Sequence, residues 1–167
     1  SDVCSSDLRL RSEDAYSPDG RHDCRPDYPS IVYTQILKKL FPDVPVVIGG
    51  IEASLRRLTH FDYWQNKLRK SILCDSGADM LLYGVGAKSI LALAEAIEQG
   101  RNIKKITEIP QTVYLSSKDN IQGGITDKDI ILHSYEECLQ NKKAHAENFK
   151  YIEEESNKMH AQRLLQE

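Results

Sequence analysis

The chain reads as an α/β protein, with a parallel sheet, flanking helices and a C-terminal helical extension. Three observations predict this. The runs at 44–48 and 79–84 are short, almost continuously apolar and end in glycine, as strands buried on both faces do. Segments with helical spacing separate them. A third apolar run, Thr112-Val113-Tyr114-Leu115, follows the second such segment. Strand, helix, strand, helix, strand predicts parallel βαβ units.

The elements follow in order. Residues 9–27 are polar and turn-rich, with Ser17-Pro18-Asp19-Gly20 and Arg25-Pro26-Asp27, and read as a loop. Ser30 or Asp27 is placed to cap a helix that runs to about Leu40 along Val32, Ile36 and Leu40. Phe41-Pro42-Asp43 ends it. After the first strand Gly49-Gly50 make a sharp turn. Phe61, Trp64, Leu68 and Ile72 then recur at three and four, which predicts a helix with one buried stripe. Trp64 falls in that stripe, so packing explains it better than base stacking. Gly84 and Gly86 follow the second strand and open a helix from about Lys88 to Gln99. Ile90, Leu93, Ala94 and Ile97 form its expected inner face, and Gly100 its cap.

Residues 117–127 read as a loop and 130–132 as a short strand. From Tyr135 the pattern is helical and highly charged. Tyr135, Cys138, Phe149, Ile152 and Met159 approach a heptad seam, but Lys142, His145 and Ser156 interrupt it. An extended helix lying on a further part of the protein is expected. The pattern at 162–167 still reads as helical, which predicts continuation of the chain. Residues 1–8 match what one frame of a sequencing-adapter end encodes, and are expected to be non-native.

Composition narrows the class. The net charge of −3 is mild and says nothing about a polyanion partner. No stretch approaches the ~18 apolar residues of a membrane span, and no signal-peptide pattern opens the chain, so a cytoplasmic location is expected. Cys4, Cys24, Cys74 and Cys138 are scattered, which supports neither a zinc site nor a disulfide framework.

The chemistry concentrates after the first strand, at Gly49-Gly50-Ile51-Glu52-Ala53-Ser54-Leu55-Arg56-Arg57. In open α/β sheets ligands bind at the carboxyl ends of the strands. Gly49, Gly50, Glu52, Ser54, Arg56, Arg57, His60 and Asp62 are the candidates for contact with a ligand or a neighbouring domain. Glu52 and His60 could serve as acid, base or hydrogen-bond anchor. Against that, Glu52 pairs with Arg56 at i+4 if it only braces the loop, and Asp62 could cap the following helix. Arg56, Arg57, Lys67, Arg69 and Lys70, interleaved with Phe61, Tyr63 and Trp64, would suit a solvated face with an anion contact, or RNA or a nucleotide. Gly84-x-Gly86 before a helix suits a phosphate or simply a tight turn.

These residues also carry a resemblance. Arg11-Ser-Glu-Asp-Ala-Tyr16-Ser-Pro18, Arg25-Pro26-Asp27, Ile31-Val-Tyr-Thr34 and above all Ile48-Gly-Gly-Ile-Glu-Ala-Ser-Leu-Arg-Arg57 resemble the YgiQ-type radical SAM proteins. So do His60-Phe-Asp-Tyr-Trp64, Ser71-Ile-Leu73, Ala78-Asp-Met-Leu-Leu-Tyr-Gly84 and, more loosely, Leu132-His-Ser-Tyr-Glu136. The resemblance implies a Rossmann-like N-terminal domain, similar to cobalamin-binding domains, over residues 9–117. Residues 118–167 would be a loop and charged helix leading to a radical SAM barrel, the expected partner. In that barrel a CxxxCxxC motif holds a [4Fe-4S] cluster for S-adenosylmethionine. This chain has no such motif, so neither cofactor is expected in it, and it is expected to be inactive alone. It also lacks a D-x-H-x-x-G sequence for cobalamin. Asp19, Tyr28-Pro29 and Ala87 depart from the family's usual residues. Two other readings stand beside this one: a module for an anionic ligand, and a domain whose motif only braces the fold.

Overall fold

The computed structural model describes residues 17–21, 24, 26–121 and 123–167, of which Lys118 is described by its backbone alone. The expectations for residues 1–8, and for residues 9–16, 22, 23 and 25 of the loop read at 9–27, lie outside the described residues.

The architecture is mixed α/β, built on small sheets. Helix α1 spans Pro29–Leu40. Strand β1 (Val47–Ile48) runs into α2 (Gly50–Leu55). A hairpin follows, β2 (His60–Asp62) and β3 (Lys67–Arg69), then α3 (Ile72–Ser76). Strand β4 (Met80–Leu82) leads to α4 (Ala87–Glu98), and β5 is Thr112–Val113. Strand β6 (Ile130–Ile131), α5 (Tyr135–Gln140), α6 (Lys142–Ser156) and β7 (Leu164–Leu165) complete the chain.

The central sheet has the order β1–β4–β5. Strands β1 and β4 are parallel, with Val47 opposite Met80 and Ile48 opposite Leu81. All three residues of β4 are buried, as its uninterrupted apolar run requires. Strand β5 is antiparallel to β4, which corrects the expectation of a third parallel strand. The chain descends from α4 through a 3₁₀ turn at Ile103–Lys105 and reaches Gln111 beside Tyr83, whose N–H donates to the Gln111 carbonyl at 3.0 Å. It therefore enters the sheet from the carboxyl edge of β4.

Two apolar clusters flank the sheet. One joins Met80, Leu82, Leu93, Ala96, Ile103, Ile106 and Ile109. The other joins Ile48, Ala53, Ile72, Leu73, Ala78 and Leu81. Helix α4 meets the first through Ala92, Leu93 and Ala96, and its Ser89 hydroxyl donates to the Pro110 carbonyl at 2.7 Å. The expected face of Ile90, Leu93, Ala94 and Ile97 is rotated, and Ile90, Ala94 and Ile97 are exposed. Small residues on the packed side let the helix approach the sheet closely. Gly100 closes α4 as predicted, at φ 78°, donating to the Ile97 carbonyl.

The segment predicted as a helix through Phe61, Trp64 and Leu68 is instead the β2–β3 hairpin, with His60 opposite Arg69 and Asp62 opposite Lys67. Asn66, at φ 50°, supplies the left-handed residue that reverses the chain. Phe61 and Trp64 consequently face solvent, and Trp64 is 56% exposed. Helix α1 ends where predicted, but it begins at Pro29 with Tyr28 at its cap position, so neither Ser30 nor Asp27 caps it.

The C-terminal extension is helical only in part. Asn141 ends α5 and caps α6 through its side chain. The buried side of α6 is Ala144, Asn148 and Glu155, while Phe149 and Met159 are exposed. Residues 164–165 form a strand parallel to β6, correcting the helical reading of that stretch. Arg163 fixes this return, with Nε and Nη2 donating to the two oxygens of Asp129 at 2.8 and 2.7 Å.

Candidate functional site

The parallel pair aims two strand-to-helix turns at one edge. Gly49 lies so close to β4 that a Cβ there would stand 3.3 Å from the Leu82 carbonyl oxygen. Gly50 sits at φ 82°, a conformation that L side chains resist. The chain can then start α2 directly from β1, where the sequence reading had placed only a turn. The Ser54 hydroxyl accepts from the Gly84 N–H at 3.2 Å, tying α2 to the turn after β4.

Helix α2 sorts the motif into three directions. Ala53 is fully buried. Glu52 and Arg56, at i and i+4, turn toward α1: Arg56 Nη1 donates to Glu52 Oε1 at 3.0 Å, and the Ser30 hydroxyl donates to Glu52 Oε2 at 2.5 Å. Ile51 and Leu55 point outward, 81% and 72% exposed.

Asp62 is the centre of a second group. It caps no helix. Its Oδ1 accepts the N–H groups of Trp64 and Gln65, shaping the hairpin turn, and its Oδ2 accepts the Tyr28 hydroxyl at 2.8 Å. Burial alone would push its carboxyl pKa upward. The Tyr28 hydroxyl, the two N–H groups and the Arg56 charge outweigh that and hold it below the ordinary range. Tyr28 is raised in turn, by desolvation first and by the Asp62 carboxylate second. The guanidinium carbons of Arg56 and Arg69 stand 5.0 and 5.3 Å from the Tyr28 ring centre. Arg69 is itself paired with Asp75 at 2.7 Å. Tyr28, Ser30, Arg69 and Asp75 thus join Glu52, Arg56 and Asp62 in one network. Sequence reasoning missed Asp75, because only the fold brings α3 to the hairpin.

His60 bonds to the backbone and not to a carboxylate among the described residues. Its Nδ1 is 3.1 Å from the Leu58 carbonyl, a contact that makes this nitrogen the donor. Burial lowers its pKa, so the ring is neutral at pH 7. Arg57, just past the end of α2, takes a fourth direction. It donates to the Ser54 carbonyl at 2.6 Å and to the Ser156 hydroxyl at 3.3 Å, and its guanidinium carbon lies 4.9 Å from the Tyr83 ring centre. No carboxylate among the described residues pairs with it. By contrast Arg56, Arg69 and Lys70 each have a carboxylate partner, the last with Glu136. The eight predicted residues therefore divide. Gly49 and Gly50 shape the turn, Glu52, Arg56 and Asp62 join the network with α1 and the hairpin, His60 is tied to the Leu58 carbonyl, and Ser54 and Arg57 lie at the strand edge.

Among the described residues no group of three or more His, Cys, Asp or Glu is placed to hold a metal. Cys138 is buried on α5 and Cys74 exposed on α3, so these residues do not fit an iron–sulfur cluster. No helix among the described residues is long and apolar enough to cross a membrane.

Comparison with known proteins gives the wider context. A family model described as Radical SAM N-terminal matches residues 3–167. A UPF0313 protein of Bacteroides thetaiotaomicron is 55% identical over 98% of this chain, which covers 28% of that relative. One from Porphyromonas gingivalis is 52% identical over 97% of the chain and 25% of the relative. One from Methanocaldococcus jannaschii is 49% identical over 83% of the chain and 23% of the relative. The chain thus spans about a quarter of the curated relatives it matches. No solved structure matches it. With a family model covering all but its first two residues, the chain belongs to the radical SAM N-terminal family, among relatives that are UPF0313 proteins.

Proposed function

We propose that this chain is the N-terminal accessory domain of a radical SAM iron–sulfur enzyme. The family match over residues 3–167 carries the reading. On this view β1–α2 and β4–α4 are two strand-to-helix steps of a Rossmann-like half-sheet. The cluster and S-adenosylmethionine belong to a barrel elsewhere in the longer polypeptide, since this sequence contains no CxxxCxxC motif. When bound there, the cluster supplies an electron to cleave S-adenosylmethionine. The work of this domain is to present its strand edge. Glu52, Arg56 and Asp62 brace that edge, and Ser54 and Arg57 face what lies beyond it.

The test is the longer polypeptide, purified without oxygen. Iron, sulfide and the electron paramagnetic resonance of the reduced cluster report the cofactor. Formation of 5′-deoxyadenosine with a reductant reports the chemistry. A longer polypeptide that holds no cluster and cleaves no S-adenosylmethionine overturns the reading.

A further inference from the structure

The strand edge has an apolar rim. Ile51 and Leu55 form the outer stripe of α2, and Val85, 93% exposed, tops the turn after β4. The Ser54–Gly84 hydrogen bond holds the two pieces side by side. Between them and α6 lies Arg57, half-buried, beside Tyr83 and without a carboxylate partner among the described residues. Apolar side chains around an arginine and a tyrosine have the composition of an interface centre. Ile51, Leu55 and Val85, exposed at 81%, 72% and 93%, give this side of the half-covered cation an apolar border of the kind contact surfaces have.

From these observations we propose that Ile51, Leu55, Val85 and Arg57 form the seat of the polypeptide that follows Glu167, with a carboxylate of that segment meeting Arg57. This rests on the reading above, in which the chain is the front part of a longer protein. Two further observations select the occupant. The relatives are about four times as long as the region they share with this chain. The last residues also return to this side of the fold. The Gln166 side chain accepts from the Thr59 N–H at 2.9 Å, two residues beyond Arg57. Chain continuing from Glu167, whose carbonyl accepts the Tyr135 N–H, therefore starts on the side of the fold that carries Thr59, two residues from Arg57.

The test places single cysteines in the longer polypeptide and reads alkylation peptide by peptide, so native cysteines do not interfere. V85C probes the rim, and M159C, at a site 96% exposed, is the reference. The V85C thiol should react at least about tenfold more slowly than the M159C thiol, at all protein concentrations. Reaction less than about tenfold slower than the reference overturns the proposal. Protection that disappears on dilution assigns the rim to a second copy and also overturns it. The outcomes separate from those of the preceding section: a protein that makes 5′-deoxyadenosine but leaves V85C open keeps the accessory-domain reading and loses this seat. A protected V85C in a protein without a cluster does the reverse.

Discussion

The Tyr28 hydroxyl reaches the Asp62 carboxylate at 2.8 Å across 34 residues of chain, and Asp62 has no solvent exposure left in its side chain. The cap of α1 and the turn of the β2–β3 hairpin are thereby one unit. Tyr28→Phe removes the donor and keeps the ring. It should cost about 1–3 kcal/mol, the range for leaving a buried acceptor short of a partner. Urea denaturation would show the midpoint fall with little change in slope; an unchanged midpoint would mean that the hydroxyl is not needed.

Gly50 offers a cleaner backbone test. A Cβ there meets nothing within 4 Å, so only the positive φ penalises a side chain. Gly50→Ala should destabilise by about 1–2 kcal/mol. Thermal unfolding of the variant would check it, and wild-type stability would show that α2 can start in another conformation.

Acid should weaken the fold through specific carboxylates. Asp79 accepts from the Val46 N–H at 2.8 Å and pairs with Lys38. Burial opposes its ionisation, but Lys38 and Val46 outweigh that and hold its pKa below the ordinary 3.8, as Asp62 is also held. A depressed carboxyl pKa gives stability that is fully present above the unfolded value and lost as pH falls through the folded one. The contribution of these two carboxylates should therefore stay level from neutrality down to about pH 5 and decline below about pH 4. In Asp79→Asn the decline should be shallower, as followed by urea midpoints across that range.

Trp64 is the only tryptophan, so its fluorescence reports the hairpin tip alone. The native protein should emit as an exposed indole and be quenched readily by iodide. Trp64→Ala should change stability by no more than about 0.5 kcal/mol, as surface substitutions usually do. Strongly blue-shifted, quencher-resistant emission would contradict the hairpin and restore the helix that periodicity suggests.

How legible the fold was depended on what each signal measures. Met80-Leu81-Leu82 is apolar without interruption, and burial on two faces leaves few other readings. The Glu52–Arg56 pair is also local, set by helical spacing, and it is present at 3.0 Å. The stripe of Phe61, Trp64, Leu68 and Ile72 misled because apolar spacing over a dozen residues does not encode where the chain reverses. Asn66 and the alternation in Lys67-Leu68-Arg69 were the available signs of a hairpin. Strands of two residues, such as β7, have no period to detect. Among the candidate site residues, the glycine turn and the charged block were visible in sequence. That Tyr28 reaches Asp62, that Asp75 takes Arg69 and that Arg57 turns to Ser156 are contacts only the folded chain brings together.

Strand β7 and the Gln166–Thr59 hydrogen bond carry a consequence for biosynthesis. Thr59 is synthesised 107 residues before its acceptor, and Ile130 and Ile131 also wait for Leu164 and Leu165. A nascent chain paused before those residues clear the ribosome holds an unfinished hairpin base and an unpaired strand, both open to wrong partners. Closure of this unit therefore waits until residues 164–166 have cleared the ribosome.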